Sequence, residues 1–236
     1  MSLQSVSVVI PALNEEKSIA LVLKDLQKIK NSKIREIIVV DNGSRDKTAE
    51  IAFQNGAVVL NEFERGYGAA CLRGIRRILE SADPPNLVAF VDADYSDSPA
   101  ELVYLLNEFQ NPNIDLVVGS RALGKAEKGS LLPVQKFGNQ LSTFLIRVLY
   151  GVKFTDLGPF RVIRLDSLKK LNMQDRNFGW TVEMQIKAAK LGMNCVEVPV
   201  SYKKRIGTSK VSGTISGSIK AGWKILYTIA KLQFTK

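Results

Sequence analysis

Two aspartates separated by one small residue, Asp92-Ala93-Asp94, close the apolar run Leu87-Val88-Ala89-Phe90-Val91. The run is short and β-rich and predicts a buried strand. Two carboxylates at its far end would be costly inside a core, so the strand is expected to stop at a sheet edge, where they meet water, a cation or a ligand. Residues two apart on an extended chain point the same way, and both carboxylates can then serve one hard cation such as Mg2+ or Mn2+. A polar strand end running into a turn gives the same pattern, and a lone D-x-D does not separate the two.

Other residues with chemical capacity sit at comparable places. Pro11 and Glu15 follow the β-branched run Ser5 to Ile10, and Asp41 follows the run Ile34 to Val40 at the turn cluster Asp41-Asn42-Gly43-Ser44. Singly, Asp41 is a turn cap and Glu15 a first-turn helix residue favoured by the dipole. Together at neighbouring strand ends they could receive a nucleobase or ribose. Arg121 ends the run Ile114 to Val118 plus Gly119-Ser120, and Arg161, Arg205 and Lys210 stand near predicted turns. Such cations suit phosphate, although a solvated charge run would look the same. Glu183 opens a helix after Phe178-Gly179-Trp180 and is the candidate general base if a hydroxyl must be deprotonated; its plain alternative is an exposed helix glutamate. Gly66-x-Gly68 lacks a third glycine at dinucleotide spacing and does not follow the first strand, which excludes a dinucleotide fingerprint.

Composition narrows the chemistry. The 236 residues contain no histidine, so imidazole bases, catalytic triads and His-ligated zinc are excluded. Cys71 and Cys195 have no metal spacing and suit a reduced, cytoplasmic setting. The first residues show no leader pattern, and no run of about 18 apolar residues suggests a membrane span. The net charge of +10 is uneven: after Glu197 there is no acid, while Lys203, Lys204, Arg205, Lys210, Lys220, Lys224, Lys231 and Lys236 follow. This describes a near-neutral domain with a basic tail rather than a uniformly basic nucleic-acid binder.

The elements that must position these residues alternate. Strands are predicted near Ser5–Ile10, Ile34–Val40, Ala57–Leu60, Leu87–Val91 and Ile114–Val118, with helices between them, which argues a doubly wound parallel sheet. In such sheets ligands bind beyond the carboxyl ends of the strands, where Pro11 to Glu15, Asp41 to Ser44 and Asp92 to Asp94 all fall. The second half holds a polar loop at 124–129, an amphipathic helix over 137–150, a turn and short strand around 156–161, a helix through about Leu191, a strand over 194–200, a basic Gly/Ser-rich loop at 203–217 and a helix over 218–234. Residues 1–212 are expected to form the catalytic domain, divided into a nucleotide half (1–121) and an acceptor half (122–212), and 213–236 a basic amphipathic helix.

Val9-Ile10-Pro11-Ala12-Leu13-Asn14-Glu15-Glu16, Val39-Val40-Asp41-Asn42-Gly43-Ser44 and Val91-Asp92-Ala93-Asp94 resemble, in order and spacing, the nucleotide-sugar half of inverting GT-A glycosyltransferases of family 2. Gly119-Ser120-Arg121, Thr155 to Arg161 and Glu197 to Lys210 resemble more loosely the branch containing dolichyl-phosphate mannose synthase and other polyprenyl-phosphate sugar synthases. That branch often has Ser-Gly-Phe-Arg where this chain has Gly158-Pro159-Phe160-Arg161, and a Gln near the aspartates where this chain has Tyr95-Ser96-Asp97. The resemblance implies a GT-A, Rossmann-like α/β fold with a mostly parallel sheet. It implies that Pro11, Leu13, Glu15 and Asp41 hold base and ribose, and that Gly66 and the start of its helix lie against the nucleotide. Asp92 and Asp94 would hold the diphosphate through Mg2+ or Mn2+, Asp94 also counting as catalytic. Arg121 would face the acceptor, with Arg161 a further phosphate-binding candidate, while Arg205, Ser209 and Lys210 would close over the diphosphate.

The expected reaction is inverting transfer of a hexose from a GDP-mannose- or UDP-glucose-type donor to a polyprenyl phosphate. A phosphate acceptor needs cations, Arg121 and Arg161, rather than a base; a hydroxyl acceptor would need Glu183. Trp223 and interleaved lysines suit peripheral contact with a membrane, and so does the 137–150 helix; packing on the domain or a homodimer would equally use both helices. The competing classes are a transferase acting on a glycolipid or soluble hydroxyl, a nucleotidyltransferase, whose Gly/Lys-rich signature is missing after the first strand, and a non-catalytic basic binding protein.

Overall fold

The computed structural model describes residues 4–29, 33–207 and 215–234. Its described strands form one seven-stranded sheet in the order β3-β2-β1-β4-β6-β5-β7. These are β1 (Ser5–Ala12), β2 (Lys33–Asp41), β3 (Val58–Asn61), β4 (Leu87–Phe90), β5 (Leu116–Ser120), β6 (Arg161–Arg164) and β7 (Cys195–Pro199). The helices are α1 (Ile19–Gln27), α2 (Thr48–Gln54), α3 (Tyr67–Leu79), α4 (Leu102–Glu108), α5 (Pro133–Tyr150), α6 (Leu165–Leu171), α7 (Trp180–Lys190) and α8 (Ile215–Phe234).

The sheet is covered on both faces, so its strands read as continuous apolar runs. Val6, Val8 and Ile10 of β1 point to the α1 and α4 side, where they meet Ile19, Leu23, Leu26 and Leu105. Val9, one residue out of step, points to the opposite side with Ile75 and Ile78 of α3 and Trp180 and Met184 of α7. A third cluster joins Ile146 of α5, Val182 and Ile186 of α7, and Ile229 and Leu232 of α8. The C-terminal helix is therefore packed along its apolar face against α5 and α7.

The sheet is mostly parallel, as expected, with one strand reversed. β6 lies between β4 and β5 and is antiparallel to both. A purely parallel doubly wound sheet needs a crossover helix between adjacent strands. Here the chain leaves β5 through α5, and the turn at Gly158-Pro159 then feeds β6 antiparallel into the gap between β4 and β5. α6 has no counterpart in the predicted elements; its Leu165, Leu168 and Leu171 are buried, and Asn172 ends it in the left-handed conformation at φ 44°.

Candidate active site

The parallel register aligns three strand ends. Ala12 of β1 pairs with Asp41 of β2, and Val9 with Phe90 of β4, so the segments that follow open on one side of the sheet. They border a cavity of about 330 Å3 lined by Pro11, Leu13, Glu15, Gly66, Asp92, Asp94 and Arg205, together with Asn42, Arg65, Tyr67, Asn177 and Phe178. Residues 190 positions apart thus share one site.

Each wall has a local cause. The Glu15 amide donates to Thr48 Oγ1 (2.8 Å) and its Oε2 accepts the Ser18 hydroxyl (2.9 Å), which fixes the carboxylate at the start of α1. Asp41 is buried, and both its oxygens face the Ser44 amide at 3.2 Å, so it shapes the turn behind the cavity rather than lining it. Asn42 Nδ2 donates to the carbonyls of Glu62 and Glu64, and its Oδ1 accepts the Gly66 amide (2.8 Å). This side chain sets the path of the chain into α3.

The acidic pair is held from three sides. The Tyr67 hydroxyl donates to Asp92 Oδ1 at 3.0 Å. Asp94 Oδ1 accepts the amide and hydroxyl of Ser96 (2.9 and 2.6 Å), while its Oδ2 pairs with Arg205 Nη2 at 2.9 Å. Arg205 also reaches Glu15 Oε1 at 3.3 Å. The Ile206 amide donates to the Asp94 carbonyl and the Lys203 amide to the Ser96 carbonyl, so this basic segment lies directly on the acidic pair. Burial, with Asp94 beside it, raises the Asp92 carboxyl above the usual carboxylate range. Two carboxylates so placed fit a hard cation completed by diphosphate oxygens and water. They do not make a protein cage: among the described residues no cluster of three or more metal-ligating side chains occurs.

Asp97 lies behind the pair and is 2 % exposed. Among the described residues neither of its carboxyl oxygens has a hydrogen-bond partner. Burial and the charge of Asp92 hold it well above the usual range, which favours its protonated form.

Beyond the cavity lining, Asp156 Oδ2 accepts from Arg121 Nε and from its amide, and Oδ1 accepts from Nη2, all at 2.7–2.8 Å. Glu197 in turn accepts the amides of Thr155 and Asp156. Arg121 also stands over the Tyr202 ring, 5.0 Å from its centroid. Burial would lower the Arg121 pKa, but the fork onto Asp156 raises it above the usual value.

Besides Asp41 and Arg121, two further expected site residues do not line the cavity. Arg161 is fully buried: Nη1 donates to the Thr181 carbonyl, Nη2 to the Gly158 carbonyl, and the guanidinium lies 5.9 Å from the Trp180 ring. Burial pulls it down to about 10. It braces the core beside the site and does not line the cavity, because the β6 register turns its side chain toward α7. Glu183 is also buried, and its oxygens accept the amides of Gln174 and Asp175 and pair with Lys187 at 2.7 Å. A carboxylate so engaged anchors a loop; it does not face the acidic pair as a base. Ser209 and Lys210 lie outside the described residues.

Arg65, Asn177 and Phe178 were not expected in the site, whereas Tyr67 falls at the helix start expected beside the nucleotide and Asn42 within the expected turn Asp41 to Ser44. The tyrosine between two glycines at a helix start was a usable signal, since the first turn of α3 faces the strand ends. Asn42 reads in sequence only as a turn residue. Asn177 and Phe178 carry no signal, being brought in by the packing of α7.

The chain resembles known proteins along most of its length. An uncharacterized glycosyltransferase of Mycobacterium tuberculosis is 36% identical over 96% of this chain and 100% of the relative. An undecaprenyl-phosphate mannosyltransferase of Micrococcus luteus is 30% identical over 89% and 88%, and a dolichyl-phosphate hexose transferase of Haloferax volcanii 30% identical over 90% and 89%. Among solved structures, glucosyl-3-phosphoglycerate synthase from Mycobacterium tuberculosis, in complex with Mn2+, UDP and phosphoglyceric acid, superposes with a TM-score of 0.77 at 21% identity, covering 99% of this chain and 80% of that one. The fold is thus the GT-A arrangement, and the glycosyl transferase family 2 model matches residues 7–171, a span holding all three strand-end segments: the chain belongs to this family of glycosyltransferases.

Proposed function

We propose that the protein transfers a hexose, with inversion, from a nucleotide-diphosphate sugar to a polyprenyl phosphate. The observation that carries this reading is the single cavity in which Pro11, Leu13 and Glu15 meet Asp92, Asp94 and Arg205. One end is suited to a nucleoside and the other combines a carboxylate pair with a guanidinium. Asp92 and Asp94 would hold Mg2+ or Mn2+, which when bound neutralises the leaving diphosphate. Arg205, pivoting from Asp94 and Glu15, would supply a second positive charge to the same group.

A phosphate acceptor is already an anion and needs binding rather than deprotonation. Asp156 engages Nε and Nη2 of Arg121, and Nη1 is the nitrogen an acceptor phosphate would meet. The engagement of Glu183 by two amides and Lys187 favours this acceptor over a hydroxyl, which would require a carboxylate base. The lipid-phosphate relatives support it too. So do the apolar side chains exposed on α5 and α8, Phe137, Phe144, Val148, Trp223 and Phe234 among them. Among the described residues no helix is long and apolar enough to cross a membrane, so contact with the lipid would be peripheral.

The test is a transfer screen. UDP- and GDP-hexoses are each incubated with a short polyprenyl phosphate or with 3-phosphoglycerate, with Mn2+ or with chelator. Metal-dependent transfer to the lipid phosphate, with inverted anomeric configuration by NMR, is expected. Transfer to phosphoglycerate and none to the lipid would replace the acceptor assignment; no donor turnover under any condition would overturn the whole reading.

A further inference from the structure

The far wall of the cavity is a loop, residues 174–179, that α7 delivers from the second half of the chain. Its Asn177 and Phe178 line the cavity together with Leu13, Gly66 and Tyr67. The loop rests against the start of α3: the Ala69 amide donates to the Arg176 carbonyl at 2.9 Å. Two carboxylates hold its backbone. Glu183 takes the amides of Gln174 and Asp175, and Asp175 Oδ1 takes those of Asn177 (2.8 Å) and Gly179 (3.1 Å). The other oxygen of Asp175 leaves the loop. Its Oδ2 pairs with Lys224 Nζ of α8 at 2.9 Å, and the Asp175 side chain is 8% exposed. One buried carboxylate therefore ties the donor-side wall to the C-terminal helix.

We propose that Asp175 is a positioning residue for the donor, and that its pair with Lys224 makes the placement of the Asn177–Phe178 wall depend on α8. This deepens the donor assignment made above and rests on it. Glu183 fixes one end of the loop from within α7. Asp175 fixes the other and links it to α8. If α8 shifts, the Lys224 charge moves relative to Asp175 and Phe178 moves with the loop. If α8 is held, the wall is held. Coupling of this kind is a difference in ligand affinity between two arrangements of a packed element.

The test uses the full chain and three variants. Asp175→Asn retains a carbonyl oxygen for the two amides but loses the charge facing Lys224. Lys224→Met removes the other partner from a partly exposed position. The third variant is the double. Binding of UDP and of GDP, each with Mn2+, is measured by calorimetry. Donor KM, acceptor KM and kcat are then measured for the active pair, and thermal midpoints for all chains. Both single variants are expected to weaken nucleotide binding and raise donor KM by about five- to tenfold, with kcat at saturating donor and acceptor KM unchanged. The double variant should be no worse than either single one, because both remove the same link. Unchanged donor affinity in Lys224→Met overturns the dependence on α8. A fall in kcat and midpoint together with a rise in acceptor KM marks Asp175 as merely structural and also overturns the proposal. If the unaltered protein binds neither nucleotide, the donor assignment itself has failed, and that result is recognised before any variant is compared.

Discussion

The Tyr67 hydroxyl donates to Asp92 Oδ1 at 3.0 Å, and the Tyr67 ring packs edge-on against Trp180, which packs in turn against Phe90. The side chain that orients one half of the acidic pair is thus itself held by the core. A carboxylate oriented from behind presents its remaining oxygen in a fixed direction, and such supporting contacts tune a metal site. Burial raises the Tyr67 pKa well above the usual value, so at neutral pH the hydroxyl is protonated and available as a donor.

Tyr67→Phe keeps the aromatic packing and removes this one bond. It is expected to weaken Mn2+-dependent nucleotide binding at least about tenfold, the lower end of what such supporting contacts contribute, with little change in thermal midpoint. Calorimetric titration with nucleotide at several Mn2+ concentrations checks it. Unaltered metal dependence would mean that Asp92 is oriented without the tyrosine.

Gly68 begins α3 beneath the 174–179 loop. A Cβ built there would stand 2.0 Å from the Asp175 carbonyl oxygen and 2.8 Å from the Arg176 carbonyl carbon. Both are backbone atoms and cannot rotate away, so Gly68→Ala must move either the helix start or the loop. Overpacking of this kind costs about 1–3 kcal/mol. The expected outcome is a lower urea midpoint together with a loss of nucleotide affinity, because the displaced loop carries Asn177 and Phe178. Gly138 provides the control: nothing lies within 4 Å of a Cβ there, and Gly138→Ala in α5 should be neutral or slightly stabilising.

The strand-end part of this site was readable because its parts are local. Pro11 to Glu15, Asp41 and Asp92-Ala93-Asp94 each follow a strand whose apolar run shows in the sequence, and a parallel sheet aligns such ends without further information. The second half lacks that regularity. β6 enters antiparallel between β4 and β5, which carries Arg161 into the core. Glu183 has the sequence environment of an exposed helix start, yet the bend at 172–179 folds back over it and supplies amides for both oxygens. The reversal of β6 decides the first position and the fold-back of the 172–179 bend the second, and no period or turn signal encodes either.

Arg121 and Asp156 give a sharper test of the proposed acceptor assignment. The carboxylate is 2% exposed and the guanidinium 16%, so removing the acid strands a nearly buried cation. Breaking a buried pair from one side typically costs about 3–5 kcal/mol. Asp156→Ala should lower the denaturation midpoint by that order, whereas Asp156→Asn, which keeps one acceptor oxygen, should lose less. Arg121→Lys preserves charge but not the fork. It is expected to fold and bind nucleotide while acceptor KM rises, a split readable by steady-state kinetics in the assay above. A rise in donor KM instead would move Arg121 to the donor side of the reaction.

The exposed apolar side chains of α5 yield the last prediction. Phe137, Phe144 and Val148 are 65%, 60% and 62% exposed and recur at helical spacing, and α5 packs on α8, whose Trp223 is 73% exposed. The Tyr150 hydroxyl locks the two helices together by donating to the Ile229 carbonyl at 2.6 Å. Withdrawing one phenylalanine from water is worth about 1.5–3 kcal/mol, so Phe137→Ser with Phe144→Ser should weaken sedimentation with phosphatidylglycerol vesicles by at least about a hundredfold. The lysines of the tail should make the unaltered protein's binding fall as salt rises, through screening. Nucleotide binding should be unaffected, since neither side chain lines the donor cavity. If the unaltered chain ignores vesicles but forms a dimer that the double substitution dissolves, these helices serve a second copy of the chain, and a polyprenyl phosphate would have to reach the site by another face.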